Sequence, residues 1–246
     1  MGEIYKHPPL VEALCEFQFD ESTPWDVTVF GHYYDRVQAE FPTKRQMPRV
    51  EMSLSQDQGA IQGEMRETGV RMQFLRPDGS AMVQLAPHLL IVNNLPPYES
   101  WQAFKSLILD RLADYGEVVS STHLRQIGLR YINRFDFPAQ GFSVGNAFAN
   151  SEFLPARLRQ AGAPFFLRLE MPQGQQGHLL VTMGTIDSEE PDQVSTLLDL
   201  DFRIRIGVAL DHCELANHLD SAHDRIEEVF ESYLTDELRD RFNKEA

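Results

Sequence analysis

The sequence predicts an α+β fold in which a curved antiparallel sheet carries long helices on one face. Two observations lead to this prediction. Short segments that alternate between apolar and polar residues follow one another as a meander, and three longer stretches have apolar residues at helical spacing. The order β-α-β-meander-α occurs twice. We therefore expect a single domain, residues 1–246, made of two structurally similar halves, 1–120 and 121–246.

The first half opens with a strand over Val11–Phe19, where every second residue is apolar. A helix is predicted next, with Thr23 as its N-cap and Pro24 at its first position, and its apolar stripe runs to Phe41. A second long helix is predicted from about Tyr98. Between these helices, strands are predicted over residues 49–54, 70–75, 81–85 and 89–92.

The second half repeats the order with a weaker first helix. Asp211 is the predicted N-cap of a third long helix, and Glu214 follows three residues later as in a capping box. The strands of this half are predicted over residues 123–137, 165–171, 178–184 and 197–208. Interrupted helical character is predicted over 142–160, and a short final helix over 235–242.

Composition limits the function. The 246 residues include 22 Lys and Arg against 37 Asp and Glu, a net charge of −15. Such a balance makes nucleic acid an improbable partner and an anionic membrane a repulsive one. There is no apolar run of the ~18 residues that a membrane-spanning helix needs. Cys15 and Cys213 are far apart and no signal peptide precedes them, so we expect a cytoplasmic protein with reduced thiols.

The negative charge is concentrated near the C-terminus. Residues 187–240 contain sixteen acidic and four basic residues, a net of −12. The predicted outer face of the third helix carries a row of carboxylates: Asp220, Asp224, Glu227, Glu228 and Glu231. Two interpretations stay open. The row either binds a basic protein partner or keeps the protein soluble.

The strongest candidate for ligand binding is the strand segment around Arg130 and Arg134, with Tyr131 and Asn133 between them. Residues 121–134 contain three arginines and no acid. A guanidinium group suits bidentate recognition of a carboxylate or phosphate. The alternative is a cross-strand ladder in which the arginines meet acids of a neighbouring strand, such as Asp199.

Sequence motifs of catalysis are missing. The chain has no G-x-S-x-G, no Walker motif and no H-E-x-x-H. Histidines, a cysteine and acids cluster over residues 211–224, but their spacing is equally typical of a solvated helix N-terminus. We therefore expect no catalytic residues, no metal and no cofactor.

Three segments resemble one family of bacterial proteins. Residues 5–12 (YKHPPLVE), 98–104 (YESWQAF) and especially 128–134 (GLRYINR) are similar to its recognisable motifs, although His7 stands where the family more often has Asn. The family is sporadically distributed and uncharacterised, and its members have about 250 residues. The resemblance covers most of the chain. It assigns no active site, and the patchy distribution implies an accessory or mobile-element role.

These observations leave three functional hypotheses. The first is a non-enzymatic interaction module that forms a homodimer, motivated by the mixed charges Asp199, Asp201, Arg203 and Arg205 on one predicted strand face. The second is a small-molecule or anion-binding protein whose pocket contains Arg130 and Arg134. The third is an enzyme of unrecognised type, such as a hydrolase in which His123 or His178 works with a carboxylate.

Overall fold

The fold is α+β, with nine strands in one open antiparallel sheet. The structure is a computed structural model that describes residues 5–57, 60–119, 123–149, 151, 154–160, 164–174, 177–206 and 212–243. Within these ranges, side chains are described except at residues 49–57, 60–68, 158 and 212. No helix of the described ranges combines the length and the apolar character needed to cross a bilayer.

The strands are β1 (Leu10–Phe19), β2 (Thr43–Asp57), β3 (Ala60–Leu75), β4 (Ala81–Ala86), β5 (Leu89–Asn94), β6 (Leu124–Pro138), β7 (Phe166–Gln173), β8 (Gly177–Ile186) and β9 (Gln193–Arg205). The helices are α1 (Thr28–Val37), α2 (Trp101–Val118), α3 (Val144–Ala147), α4 (Ala156–Arg159), α5 (His212–Tyr233) and α6 (Asp236–Asn243).

The order of strands across the sheet is β2-β3-β4-β5-β1-β6-β9-β8-β7. The strands that open the two halves of the chain, β1 and β6, pair with each other in the middle. From there the first half continues outward to β2 and the second half continues outward to β7. These two strands are the edges of the sheet, and β9 lies in its interior.

Alternation along the central strands places the main core on one face. In β1, Ala13, Cys15, Phe17 and Phe19 are almost fully buried, as the period-2 pattern predicted. Helices α2 and α5 contact each other, α2 contacts β5 and also α1, and α5 contacts β6 and β9. A small separate cluster on the other face consists of Ala86, Leu89 and Ile91, with Leu14 beside it.

The predicted start of the first helix is wrong. The helix begins at Thr28, and its N-cap residue, Val27, makes no side-chain capping bond. The Asp26 carboxylate instead accepts a hydrogen bond of 2.7 Å from the Thr28 backbone N–H. Thr23 is buried in the preceding turn, where its hydroxyl accepts a hydrogen bond from the His123 backbone N–H. Thr23 therefore takes part in a contact between the two halves and is not the N-cap of the helix.

The hairpin β2–β3 is much longer than predicted. Its register is continuous from the Thr43–Leu75 pair to the Asp57–Ala60 pair, apart from one shift next to Arg49. Much of it is polar, and backbone pairing does not require an alternating sequence. The predicted helical stretch 142–160 contains two four-residue helices, α3 and α4. The predicted cap Asp211 lies outside the described residues.

Candidate functional site

Arg130 is engaged by a cross-strand partner. Its Nε and Nη2 each donate a hydrogen bond of 2.7 Å to the two carboxylate oxygens of Asp199 on β9. The hydrogen bond to Asp199 raises the pKa of the guanidinium group. A neighbouring pair on β9, Arg203 and Asp201, is also joined by two hydrogen bonds. The cross-strand pairing that the sequence left as an alternative is therefore present for Arg130, and an anionic ligand of Arg130 would compete with Asp199.

Arg134 belongs to a second polar group on the same strand. Its Nε lies 3.1 Å from Asp136 Oδ1, and its Nη2 donates to the Ser195 hydroxyl at 3.3 Å. Glu189 lies 3.6 Å from its Nη1. Partial burial opposes ionisation of Asp136, but the bonds from Ser195 and Arg134 outweigh it and lower the pKa of that carboxyl.

The four predicted ligand residues lie on two sides of the sheet. Side chains alternate along β6, so Arg130 and Arg134 face one way and Tyr131 and Asn133 the other. The Tyr131 hydroxyl hydrogen-bonds the Tyr98 hydroxyl at 2.8 Å. Asn133 Nδ2 donates to a backbone oxygen of β9 at 3.3 Å. The four residues therefore do not share one pocket.

Tyr131 and Asn133 instead line a cavity between β6 and α5. Its volume is about 110 Å³, and its other lining residues are Leu10, His223, Ile226, Glu227 and Phe230. The lining is partly apolar, while the imidazole, amide, phenol and carboxylate groups supply both donors and acceptors. At roughly 30 Å³ per molecule, the space equals that of a few waters or one small ligand.

His223 is the most constrained polar side chain of this cavity. Its ring stacks on Trp101 with centroids 4.4 Å apart and planes at 15°. Nδ1 is buried without a hydrogen-bond partner, and a carboxylate oxygen of Asp224 lies 3.8 Å from it. Burial lowers the pKa of His223 although Glu227, Asp224 and Asp220 pull it upward. The neutral imidazole then retains a lone pair for a ligand.

His223, Asp224 and Glu227 form a group of metal-ligand type. One potential ligand atom from each lies within 4.8 Å of the others. His223 and Glu227 share a helix face because they are four residues apart. The sequence analysis placed His223 and Asp224 in the cluster over residues 211–224 and Glu227 in the acidic row, and it predicted no metal. The spacing of the three was visible in the sequence, but the packing of His223 against Trp101 and Tyr131 is shown only by the fold.

The acidic row of α5 does not form one surface. Asp220 accepts hydrogen bonds from Trp101 Nε1 at 2.9 Å and from Lys105 Nζ at 2.7 Å. Glu231 accepts from the Tyr5 hydroxyl at 2.8 Å and from Arg239 Nε at 3.2 Å.

The other three acids of the row also differ from one another in their surroundings. Glu227 lines the cavity. Asp224 and Glu228 are the most exposed, with 79% and 68% of their side chains accessible, and Glu228 pairs with Arg225. Only these two of the five predicted partner-binding acids project mainly into solvent.

Of the two histidines proposed for hydrolysis, His178 is not within hydrogen-bond distance of the carboxylate beside it. His178 Nε2 lies 3.9 Å from the Glu170 carboxylate, beyond hydrogen-bond distance. Glu170 is 63% exposed, and the two residues lie on the neighbouring strands β7 and β8. His123 precedes β6, where its backbone N–H bonds to Thr23. Neither histidine lines a described cavity.

The edge strand β7 is a further candidate site that sequence motifs did not reveal. Its residues alternate between exposed and half-buried along its whole length. Phe166 is 76% exposed, which is unusual for a phenylalanine. An exposed sheet edge presents unpaired backbone groups that can pair with another strand. The signal in the sequence was Phe166, an apolar residue on the same side of the predicted strand as Arg168 and Glu170.

Comparison with known proteins adds no relative to these observations. No protein-family model and no curated protein matches the chain. The evidence for function is therefore the sites themselves.

Proposed function

We propose that the protein is a non-enzymatic interaction module that forms a homodimer. The observation that carries this proposal is the position of β7 at the edge of the sheet, together with its exposed Phe166. Pairing with a second strand would give outward backbone groups of β7 hydrogen-bond partners and would cover the apolar ring of Phe166. Three of the four charged residues of β9 that suggested self-association, Asp199, Asp201 and Arg203, are paired within the chain, so the proposed interface moves from β9 to β7.

The opposite edge of the sheet is less suited to self-association. Strand β2 carries Lys44, Arg45 and Pro48 near its start, and lysine and proline on an edge strand discourage pairing with another strand. Lys44, Arg45 and Pro48 are exposed. Strand β7 carries one basic and one acidic residue, Arg168 and Glu170. The contrast favours β7 as the edge that a copy of the chain approaches.

Light scattering on the purified chain tests this proposal. At micromolar concentration we expect a mass twice that of the 28.2 kDa chain. A mass of one chain over the whole accessible concentration range would contradict homodimer formation.

A second candidate function is the binding of a small ligand in the cavity beside α5. The buried, unpartnered Nδ1 of His223 and the nearby carboxylates of Asp224 and Glu227 favour a divalent cation as its simplest occupant. Zinc chloride should raise the melting temperature of the wild type but not of His223→Ala or Glu227→Gln. His178→Ala is the matched control and should keep the shift. No shift in the wild type would contradict this function.

A basic protein partner remains part of the proposal, now restricted to Asp224 and Glu228, the most exposed acids of the row on α5. Binding to a polylysine peptide should weaken when both are changed to Asn and Gln. Asp187→Asn/Glu189→Gln is the matched control, because it removes two charges elsewhere in the acidic segment. If this variant binds polylysine as the wild type does, the effect is specific to α5. Equal weakening by both double variants would contradict a defined site there and indicate a general charge effect.

The finer architecture is also a proposal. The symmetric positions of β1 and β6 in the sheet support a duplicated unit with halves 1–120 and 121–246 in one domain. The contacts among α1, α2 and α5 support helices packed on one face. We further propose membership of the bacterial family that the sequence resembles, and an accessory role in the cytoplasm. The two free thiols, Cys15 and Cys213, suit a reducing compartment.

A further inference from the structure

We infer that two copies of the chain pair strand β7 with strand β7 in antiparallel orientation, about a two-fold axis that passes through Leu169. This inference rests on the proposed homodimer and specifies its interface. The segment Phe166–Pro172 (FLRLEMP) is complementary to its own reverse when Leu169 is the centre. Such self-complementarity is what a two-fold interface between identical chains requires.

The ladder between β7 and β8 determines which backbone groups point outward. The Thr185 backbone N–H donates to the Phe165 carbonyl at 3.0 Å, so this pair is hydrogen-bonded. Bonding directions alternate along an antiparallel ladder. The odd-numbered residues of β7 therefore bond to β8, and the even-numbered residues Phe166, Arg168, Glu170 and Pro172 direct their backbone groups outward. Pro172 fits this pattern because it has no N–H to offer β8, and in the dimer it accepts through its carbonyl but donates no hydrogen bond to the other copy.

Among the registers centred on Arg168, Leu169 and Glu170, charge favours the one centred on Leu169. With Leu169 at the centre, Arg168 of each copy stands opposite Glu170 of the other, and both pairs have opposite charges. A shift of the pairing that centres on Arg168 brings two arginines together, and a shift that centres on Glu170 brings two glutamates together. Like charges directly opposite each other are destabilising. The Leu169-centred register avoids both contacts.

Apolar contacts support the same register on both faces. On the face of Arg168, exposed Phe166 meets Pro172 of the other copy. On the opposite face Leu169 meets its own equivalent and Leu167 meets Met171, and all three are half-buried in the single chain. In this face, Leu169 and Met171 already pack against the main core. The interface therefore extends the core across the two-fold axis.

Charge reversal on β7 tests the register directly. Arg168→Glu brings an introduced carboxylate opposite Glu170 in both cross-strand pairs, and Glu170→Arg brings an introduced guanidinium opposite Arg168. We expect each single variant to be monomeric at a concentration where the wild type is dimeric. An equimolar mixture of the two variants should form a heterodimer, because the chain with two acids at positions 168 and 170 then meets the chain with two bases there. The double variant should dimerise with itself, because it only exchanges the two charges.

Arg45→Glu is the matched control, since it reverses one exposed arginine on the other edge strand and changes the net charge by the same amount as Arg168→Glu. It should remain dimeric in light scattering, and circular dichroism should show every variant folded. Dimers of both single variants, or failure of the mixture to associate, would overturn the register while the homodimer proposal stood. A monomeric wild type would overturn both.

Discussion

Arg168 and Glu170 flank Leu169 on the edge strand β7, and their side chains project from the same face of the sheet. The opposite charges are therefore placed symmetrically about one residue. The apolar residues further out, Phe166 and Pro172, continue that symmetry. The symmetry is visible in the local sequence, but it can serve an interface only because β7 lies at the edge of the sheet.

Phe166→Ser should weaken the dimer without destabilising the single chain. The ring is 76% exposed, so it contributes little to the fold of one copy. Covering an aromatic side chain contributes on the order of 1–2 kcal/mol, and the two-fold dimer contains this contact twice, so the dissociation constant should rise by roughly 30-fold or more. Sedimentation equilibrium measures this constant. Val27→Ser is the control, because Val27 is equally exposed but lies before α1, and an equal effect there would contradict the assignment.

Arg130→Ala should destabilise the fold by about 1–2 kcal/mol, since it leaves the largely buried Asp199 without its partner. Arg130 is itself 38% exposed, so water screens part of the interaction. A double-mutant cycle with Asp199→Ala, measured by urea unfolding, should give a coupling of about 1 kcal/mol. Arg205→Ala, on the exposed end of β9, is the control. Additive effects of the two substitutions would show that the pair contributes nothing.

Local sequence patterns were sufficient to predict much of the sheet and the long helices. Alternation in Val11–Phe19 and helical spacing after Tyr98 reflect burial of one side of each element, and that burial is visible in a single sequence. The hairpin β2–β3 was underestimated because polar residues pair through their backbones without alternation. The start of α1 was misplaced because Thr23 bonds to a residue of the second half of the chain.

The candidate sites could be predicted only in part. Arg130 and Tyr131 were both singled out, but neighbours on a strand face opposite ways, and only the sheet shows which neighbour meets α5. The stack of His223 on Trp101 joins residues more than one hundred positions apart, which no local pattern reveals. The edge position of β7 depends on the order of all nine strands.

Acid should destabilise the wild type through His223. Burial holds the folded-state pKa of this group below its ordinary value of 6.5, so the unfolded chain binds the proton first as the pH falls. Stability is then lost below about pH 6.5. His223→Phe retains the ring on Trp101 but cannot titrate. The free energy of unfolding is measured in urea at pH 8 and at pH 5.5, at one protein concentration. Between these two pH values it should fall less for His223→Phe than for the wild type, and an equal fall would contradict the assignment.

Thiol reactivity should distinguish the two cysteines. Cys213 is exposed on α5, whereas Cys15 is fully buried in β1, where burial raises the pKa of its thiol. An aromatic disulfide reagent should therefore modify about one thiol per native chain and both after denaturation. Cys213→Ser should reduce the native value to nearly none. Rapid native reaction of that variant would show that Cys15 is accessible.

Disulfide cross-linking at the two-fold axis is the most direct measurement of the proposed interface. In a Cys213→Ser background, Leu169→Cys places two thiols opposite each other in a non-hydrogen-bonded pair, where Cα atoms lie about 4.5 Å apart. Leu167→Cys is the control, because Leu167 faces Met171 and lies far from its own equivalent. Mild oxidation should link Leu169→Cys into a covalent dimer and leave Leu167→Cys unlinked. Cross-linking of both variants alike, or of neither, would contradict pairing of β7 about Leu169.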